Sequence, residues 1–208
     1  HTADDQAETI LHRIVRGTGI RGLAGIPASR ELVPGVTLRR PLLNFPRSEL
    51  VEYLDELGQP FRNDPTNLDQ QFTRNRIRNT LLPQLRNDYN PHVDASLRRL
   101  GVLAEEMSSY VESVASEQLA CCVQVSASEV SVDLDHLSNV PPIIVRTVFR
   151  LIWRIQGWPE QEMTFERWHE LEQLAKRTES PGVDNVTTLP ANILVERAGS
   201  RLVLKKQG

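Results

Sequence analysis

The chain has little cysteine: two residues among 208, Cys121 and Cys122, and they are adjacent. Neighbouring cysteines rarely bridge, because disulfide geometry strains the peptide between them, so two reduced thiols in a cytosolic protein are expected. Aromatic residues are also scarce, at 5%, so the core must be mainly aliphatic. No apolar run approaches the roughly eighteen residues of a membrane span, and no basic, apolar, small-residue leader opens the chain. Neither a membrane helix nor a secretory signal is therefore expected. His92, His136 and His169 are isolated and lack ligand spacing, and no metal site is expected. There is no internal repeat and no low-complexity tract. The chain opens with His1 inside what reads as a helix, which suggests a piece of a longer or processed protein.

The formal net charge of −3 hides an asymmetry. Residues 1–100 carry 14 Lys/Arg against 12 Asp/Glu, whereas residues 101–208 carry 10 against 15. Two stretches are wholly basic in their charges: Arg13, Arg16, Arg21 and Arg30 across 11–30, and Arg74, Arg76, Arg78 and Arg86 across 71–87. Such clusters can grip phosphate, although solvated helix faces produce them too.

Spacing predicts a helix over 3–16, with Ile10, Leu11, Ile14 and Val15 on one side and Gly17 as its stop. Gly17 to Gly22 reads as a glycine-rich loop. Val36 to Leu43 reads as a short strand. A helix is expected over 46–58, with Leu50, Tyr53, Leu54 and Leu57 apolar, and a polar turn at Asn63-Asp64-Pro65-Thr66-Asn67. Residues 72–86 are expected to be helical, broken or restarted at Pro83. Asn90-Pro91 marks the expected domain boundary, dividing the chain into 1–90 and 91–208. Beyond it, Leu97, Leu100, Ala104, Met107, Val111 and Val114 step by three and four along one long helix. That stripe suits internal packing or a homodimer seam. Val123 to Val125 and Val130 to Leu134 read as a hairpin, and Pro141-Pro142 opens a helix to about Ile155. Thr164 can cap a helix over 165–177. A second hairpin follows, Ile193 to Arg197 and Arg201 to Lys205. Trp153, Trp158 and Trp168 fit the core better than they fit base-stacking platforms.

The opening helix carries the sharpest chemistry. With Asp4 at zero on a helical wheel, Leu11 falls near about −20°, Val15 near about +20° and Glu8 near about +40°. Two carboxylates thus continue the apolar stripe. Like charges at that spacing repel by a few tenths of a kcal/mol, and burying them costs more unless a cation is present. A site here would hold an ammonium group or a metal ion. Acidic residues at a helix N-terminus also meet the macrodipole favourably, and spacing alone does not separate the two readings. Backbone N–H groups of the Gly17–Gly22 loop, bracketed by Arg16 and Arg21, could cradle phosphate. In the helix over 72–86, Arg74 and Arg78 flank the apolar side while Arg76 points away. They are either ion-paired arginines tying the helix to its domain or contacts to RNA phosphate or a nucleotide.

Several motifs occur together in order: His1-Thr2-Ala3-Asp4-Asp5-Gln6-Ala7-Glu8-Thr9, Arg16-Gly17-Thr18-Gly19-Ile20-Arg21-Gly22-Leu23, Arg40-Pro41-Leu42-Leu43, Asp64-Pro65-Thr66-Asn67, Arg74-Asn75-Arg76-Ile77-Arg78 and Leu82-Pro83-Gln84-Leu85. With Val195-Glu196-Arg197 and Arg201-Leu202-Val203-Leu204 near the end, the chain resembles the lysidine-synthetase branch of the PP-loop ATP-pyrophosphatases. The likeness is dense to about residue 86 and thinner through the long helix.

The resemblance implies an α/β fold. Residues 1–90 would be the C-terminal part of a Rossmann-like PP-loop domain, mostly helical with one short strand. Residues 91–208 would be a helical, tRNA-positioning domain with small hairpins. It implies ATP-dependent ligation of free lysine to carbon 2 of the wobble cytidine of an isoleucine tRNA, in the cytoplasm, with ATP and Mg2+ as cofactors. It assigns Asp4, Asp5 and Glu8 to the catalytic centre, for lysine recognition or for organising metal and nucleotide. His1, Arg16, Gly17, Gly19, Arg21 and Gly22 would face lysine or nucleotide, and Arg74, Asn75, Arg76 and Arg78 would face tRNA.

The family's Ser-Gly-Gly-x-Asp-Ser loop for ATP is absent from these 208 residues, so the chain by itself is expected not to adenylate tRNA. Two other readings compete. The first is another PP-loop enzyme, such as a tRNA thiolase or an amidotransferase-coupled synthetase; a thiolase would bring spaced cysteine pairs, which Cys121-Cys122 does not supply. A non-catalytic tRNA-binding module would bind through residues 92–208, and the acidity of that half weakens this reading.

Overall fold

Helix α1 (Ala3–Arg16) begins where Thr2 and Asp5 satisfy each other: the Thr2 backbone N–H donates to Asp5 Oδ2 at 2.8 Å. Gly17 ends it with a positive φ of 82°, and its N–H donates to the Ile14 carbonyl. In this computed structural model, residues 1–62, 70–126, 129–176 and 186–207 are described. The Asn63–Asn67 turn and the tip of the first expected hairpin, at Ala127-Ser128, lie outside them. The buried face of α1 is Ala3, Ala7, Glu8, Ile10 and Leu11. Ile14 and Val15, expected to extend it, are exposed, so the apolar stripe closes after three turns.

By their contacts the residues form two compact units, His1–Ser108 and Ser109–Gly208. In the first, α2 (Ile20–Leu23) makes one helical turn inside the glycine-rich stretch that the sequence reads as loop. Strands β1 (Ser29–Val33) and β2 (Val36–Arg39) pair antiparallel. The single strand expected over Val36–Leu43 is therefore shorter, and β1 is its missing partner. Helix α3 (Arg47–Glu56) forms as expected, yet buries none of its residues.

Then α4 (Thr73–Arg76) runs into a π-helical segment (Ile77–Leu81), α5 (Leu82–Gln84) and a second π segment (Leu85–Tyr89). Pro83 does not break the helix as expected. Proline has no N–H and crowds the carbonyl four residues back, and the wider π turn accommodates both. The Leu82 N–H reaches back five residues to the Ile77 carbonyl, and the Asn90 N–H likewise reaches Leu85. Ile77, Leu82 and Leu97 pack with Ala7, Ile10 and Leu11 of α1 into the first core.

Helix α6 (Val93–Cys122) runs through the division between the units. Its stripe is only partly core: Leu97 and Ala104 are buried, while Leu100 and Met107 are exposed.

The second unit joins what the sequence suggests are two separate hairpins into one antiparallel sheet, ordered β3-β4-β7-β6-β5. Its strands are β3 (Val123–Val125), β4 (Val130–Asp133), β5 (Val186–Leu189), β6 (Ile193–Ala198) and β7 (Arg201–Lys206). Leu134, expected in a strand, instead starts α7 (Leu134–Leu137) behind an Asp133 cap. Alternation sends Val130, Val132, Ile193, Val195, Leu202 and Leu204 to one buried face. That face forms one core with α8 (Pro142–Ile155) and α9 (Phe165–Lys176). Trp153 meets Trp158 and Trp168 edge-on, with ring centroids 4.9 and 5.2 Å away, so all three tryptophans are core. No helix among the described residues is long and apolar enough to cross a membrane.

Candidate active site

Glu8 is the most telling side chain of the first unit. It is 2% exposed, and burial of a lone carboxylate would be costly. Helical periodicity puts it one turn from Asp5, and the same periodicity on the facing helix puts Arg74 one turn from Arg78. Arg78 Nε donates to Glu8 Oε1 at 2.5 Å and its Nη2 to Glu8 Oε2 at 2.8 Å. Arg74 Nε donates to Glu8 Oε2 at 3.2 Å. Both Nη2 atoms converge on Asp5 Oδ1, at 2.7 Å from Arg74 and 3.1 Å from Arg78. Two carboxylates thus face two guanidinium groups. Arg78's pKa is raised, first by its hydrogen bond to Glu8 and against the opposing effect of burial.

The cation that the spacing of Asp4, Asp5 and Glu8 demands is therefore supplied by the chain itself for Asp5 and Glu8. Asp4 is separate from them. Its Oδ2 accepts the Arg47 backbone N–H at 2.7 Å, and it lines a pocket of about 260 Å³ with Ala3, Pro46, Arg86, Asp94 and Arg98. In that pocket Arg86 clamps Asp94 through two hydrogen bonds, of 2.6 and 2.8 Å. The clamp holds the Asp94 carboxyl below its ordinary range, against burial, and raises the pKa of Arg86.

The remaining site residues are more dispersed. Arg40 donates to His1 Nδ1 at 3.3 Å and to the Pro27 carbonyl at 2.8 Å. Arg16, Gly17, Gly19 and Arg21 are exposed. A side chain at Gly17 or Gly19 would meet nothing within 4 Å, so this part of the loop is open. Gly22 is held from below, its carbonyl accepting from Arg13 Nη1 at 2.7 Å. Arg76 points outward and bonds Thr73 Oγ1, and Asn75 is half-buried. Among the described residues no three His, Cys, Asp or Glu side chains converge to hold a metal ion.

Sequence reasoning missed three parts of this region. Gln6 grips the Ile26 backbone in both directions, donating to its carbonyl at 2.8 Å and accepting its N–H at 2.7 Å. The Arg86–Asp94 clamp spans the Asn90-Pro91 break. Arg98, one turn further along α6, has no hydrogen bond or ion pair among the described residues. Only the glutamine in the opening motif carried any signal of these.

Residues 1–85 match the PP-loop domain family. Over its whole length the chain is 32% identical to a tRNA(Ile)-lysidine synthase of Rhodopirellula baltica, covering 60% of that protein. It is 30% identical to one of Clostridioides difficile, covering 44%. Over 59% of the chain, identity to one of Chromobacterium violaceum rises to 43%, covering 28% of that protein. The chain thus spans between about a quarter and six-tenths of the length of these curated relatives. The α1 motif, the arginine helix and the sheet-forming C-terminal half all fall within the two matches that span the chain, which is thus similar to the PP-loop domain family over residues 1–85 and to these tRNA(Ile)-lysidine synthases along its length.

Proposed function

We propose that this chain carries the lysine-side part of a tRNA(Ile)-lysidine synthase active site. The activity is ATP-dependent ligation of free lysine to carbon 2 of the wobble cytidine of an isoleucine tRNA. The lysine amine attacks that carbon in the adenylated tRNA, AMP leaves with the oxygen, and the amine loses its proton. The observation that carries the reading is the buried, doubly clamped Glu8, placed on the helix whose opening motif defines the family likeness.

The chemistry of each part follows from its charge state. Asp5, Glu8, Arg74 and Arg78 form a neutralised network, so their task is to fix α1 against the arginine helix. Preorganisation of this kind matters because a displacement of about 1 Å at a reacting centre can cost about a hundredfold in rate. Asp4 has one carboxylate oxygen without a partner among the described residues and is the acid best suited to an ammonium group. Arg16, Arg21 and Arg76 are exposed and suit tRNA phosphate, with Asn75 beside them. Residues 91–208 would position the tRNA body. ATP would supply the adenylyl group.

The 208-residue chain by itself is expected to release no AMP in response to lysine. The protein that contains it, given ATP, lysine and isoleucine tRNA, is expected to form lysidine. Nucleoside mass spectrometry tests this, and Glu8→Gln should lower the yield by about two orders of magnitude. A sulfur-containing nucleoside as product would favour the thiolase reading.

A further inference from the structure

Helix α6 carries two apolar faces, and the first unit uses only one of them. Leu97, Gly101 and Ala104 turn inward and are buried. The approach at Gly101 is close: a Cβ there would come within 2.7 Å of Ile10 Cδ1. Leu100, Leu103 and Met107 form a second stripe on the same helix, stepping by three and four, and are 38%, 57% and 52% exposed. At about 100° per residue, Leu100 and Met107 lie about 60° and about 40° to one side of Leu103, and Arg99 and Glu106 lie about 40° and about 60° to the other. Arg99 and Glu106 are exposed, and neither has a hydrogen bond or ion pair among the described residues. Large apolar side chains in a helical stripe, edged by charges of both signs, mark a surface that another helix covers.

We propose that this stripe pairs with the same stripe of a second copy of the chain, the two α6 helices antiparallel about a two-fold axis. The charges select both the occupant and its direction. Two-fold pairing is self-complementary, so every contact occurs twice. Arg99 and Glu106 are one heptad apart and flank the seam on the same side. With Leu100 set over Leu103 of the second copy, Arg99 faces Glu106 of that copy, and Glu106 faces its Arg99. Met107 then covers Ser96 of the second copy, a small residue whose hydroxyl is already used on the His92 carbonyl, at 3.2 Å. Sliding the helices by one heptad sets Glu106 against Glu106 and leaves Arg99 unmatched. A parallel pairing turns Arg99 toward Ala104 and Glu106 toward Val111, which carry no charge. Opposed like charges across an interface are costly, and the antiparallel register with Leu100 over Leu103 avoids them while matching both signs.

Sedimentation velocity of the 208-residue chain, from low to high micromolar concentration, should show its mass rise from 23.6 kDa toward twice that value. Leu103→Glu should hold the chain at the monomer throughout, with an unchanged circular dichroism spectrum. Arg99→Glu opposes two pairs of acids and Glu106→Arg two pairs of arginines, and each should weaken association about tenfold. The double variant Arg99→Glu/Glu106→Arg exchanges the signs and should restore it. An equimolar mixture of the two single variants should also associate, as a heterodimer, because one copy then presents two acids and the other two arginines. Neither rescue is expected where the charges act within one chain, or where the stripe is covered by a different segment or by another protein. A chain that stays monomeric at every concentration, a dimer that survives Leu103→Glu, or charge reversals that neither the double variant nor the mixture rescues would overturn the proposal.

Discussion

Replacing Glu8 with glutamine keeps the volume of the side chain and removes its charge, which makes it the cleanest probe of the buried network. In the native protein the two carboxylates of Asp5 and Glu8 balance Arg74 and Arg78. In Glu8→Gln two guanidinium groups remain with one carboxylate, and three charge-assisted hydrogen bonds become ordinary ones or are lost. Breaking one side of a buried ion pair typically costs about 3–5 kcal/mol, because the surviving charges stay desolvated. Glu8 is almost fully buried, but Arg78 keeps 26% of its side-chain surface and Arg74 43%. Water can therefore reach the stranded cations, and we expect a loss near the lower end, about 3 kcal/mol. Urea titration followed by circular dichroism reads this as a lowered midpoint with an unchanged slope. A double-mutant cycle with Arg78→Gln should return a coupling of about 1.5–3 kcal/mol, as for residues in one hydrogen-bonded network. A Glu8→Gln protein within about 0.5 kcal/mol of wild type, the range of ordinary surface substitutions, would refute the claim that this network is buried and mutually dependent.

Asp94, held below its ordinary range by Arg86, binds its proton less readily folded than unfolded. Its contribution is present above about pH 4, the unfolded value, and fades as the pH falls further; chemical denaturation at pH 7 and pH 3 should show a smaller acid loss in Asp94→Asn than in wild type. Burial raises the Cys122 thiol to about 11, whereas Cys121 is exposed. At pH 8 iodoacetamide should label Cys121 in the native chain and reach Cys122 only after unfolding, as peptide mass spectrometry would show. Gln6→Ala removes both hydrogen bonds to Ile26 and should cost about 1–3 kcal/mol, with faster proteolysis in 24–28; unchanged cleavage there would contradict the role given to Gln6. Gly25→Ala should be harmful too, since φ is +76° and a Cβ would come within 2.3 Å of Gln6 Oε1.

The parts of this architecture that were legible in the sequence are those governed by local periodicity. The limits of α1, α3, α8 and α9 follow from apolar spacing and from Gly17 and Gly157. The core role of the three tryptophans followed from their helical placement. Joining two hairpins into one sheet was not legible, because the β4–β7 pairing links Val130–Asp133 to Arg201–Leu204 and no local pattern encodes so distant a register. Strand β1 is exposed throughout, so it has no burial alternation to reveal it. Pro83 reads as a break, and only the widened backbone shows how the helix continues through it.

At the site, the wheel correctly placed Glu8 on the apolar side and demanded a cation. It could not show that Arg74 and Arg78, some seventy residues on, already supply that cation, nor that Asp4 faces a different pocket. Wheel positions describe one helix at a time, whereas charge compensation depends on which helices meet.

The most direct test of the central claim is the product itself. The protein containing this chain, incubated with ATP, L-lysine and unmodified isoleucine tRNA, should convert the wobble cytidine to lysidine and release one AMP per modified tRNA. Glu8→Gln should abolish nearly all of that product. A tRNA that comes back unmodified from a folded, ATP-supplied protein, or that carries any modification other than lysine at carbon 2, would contradict the account.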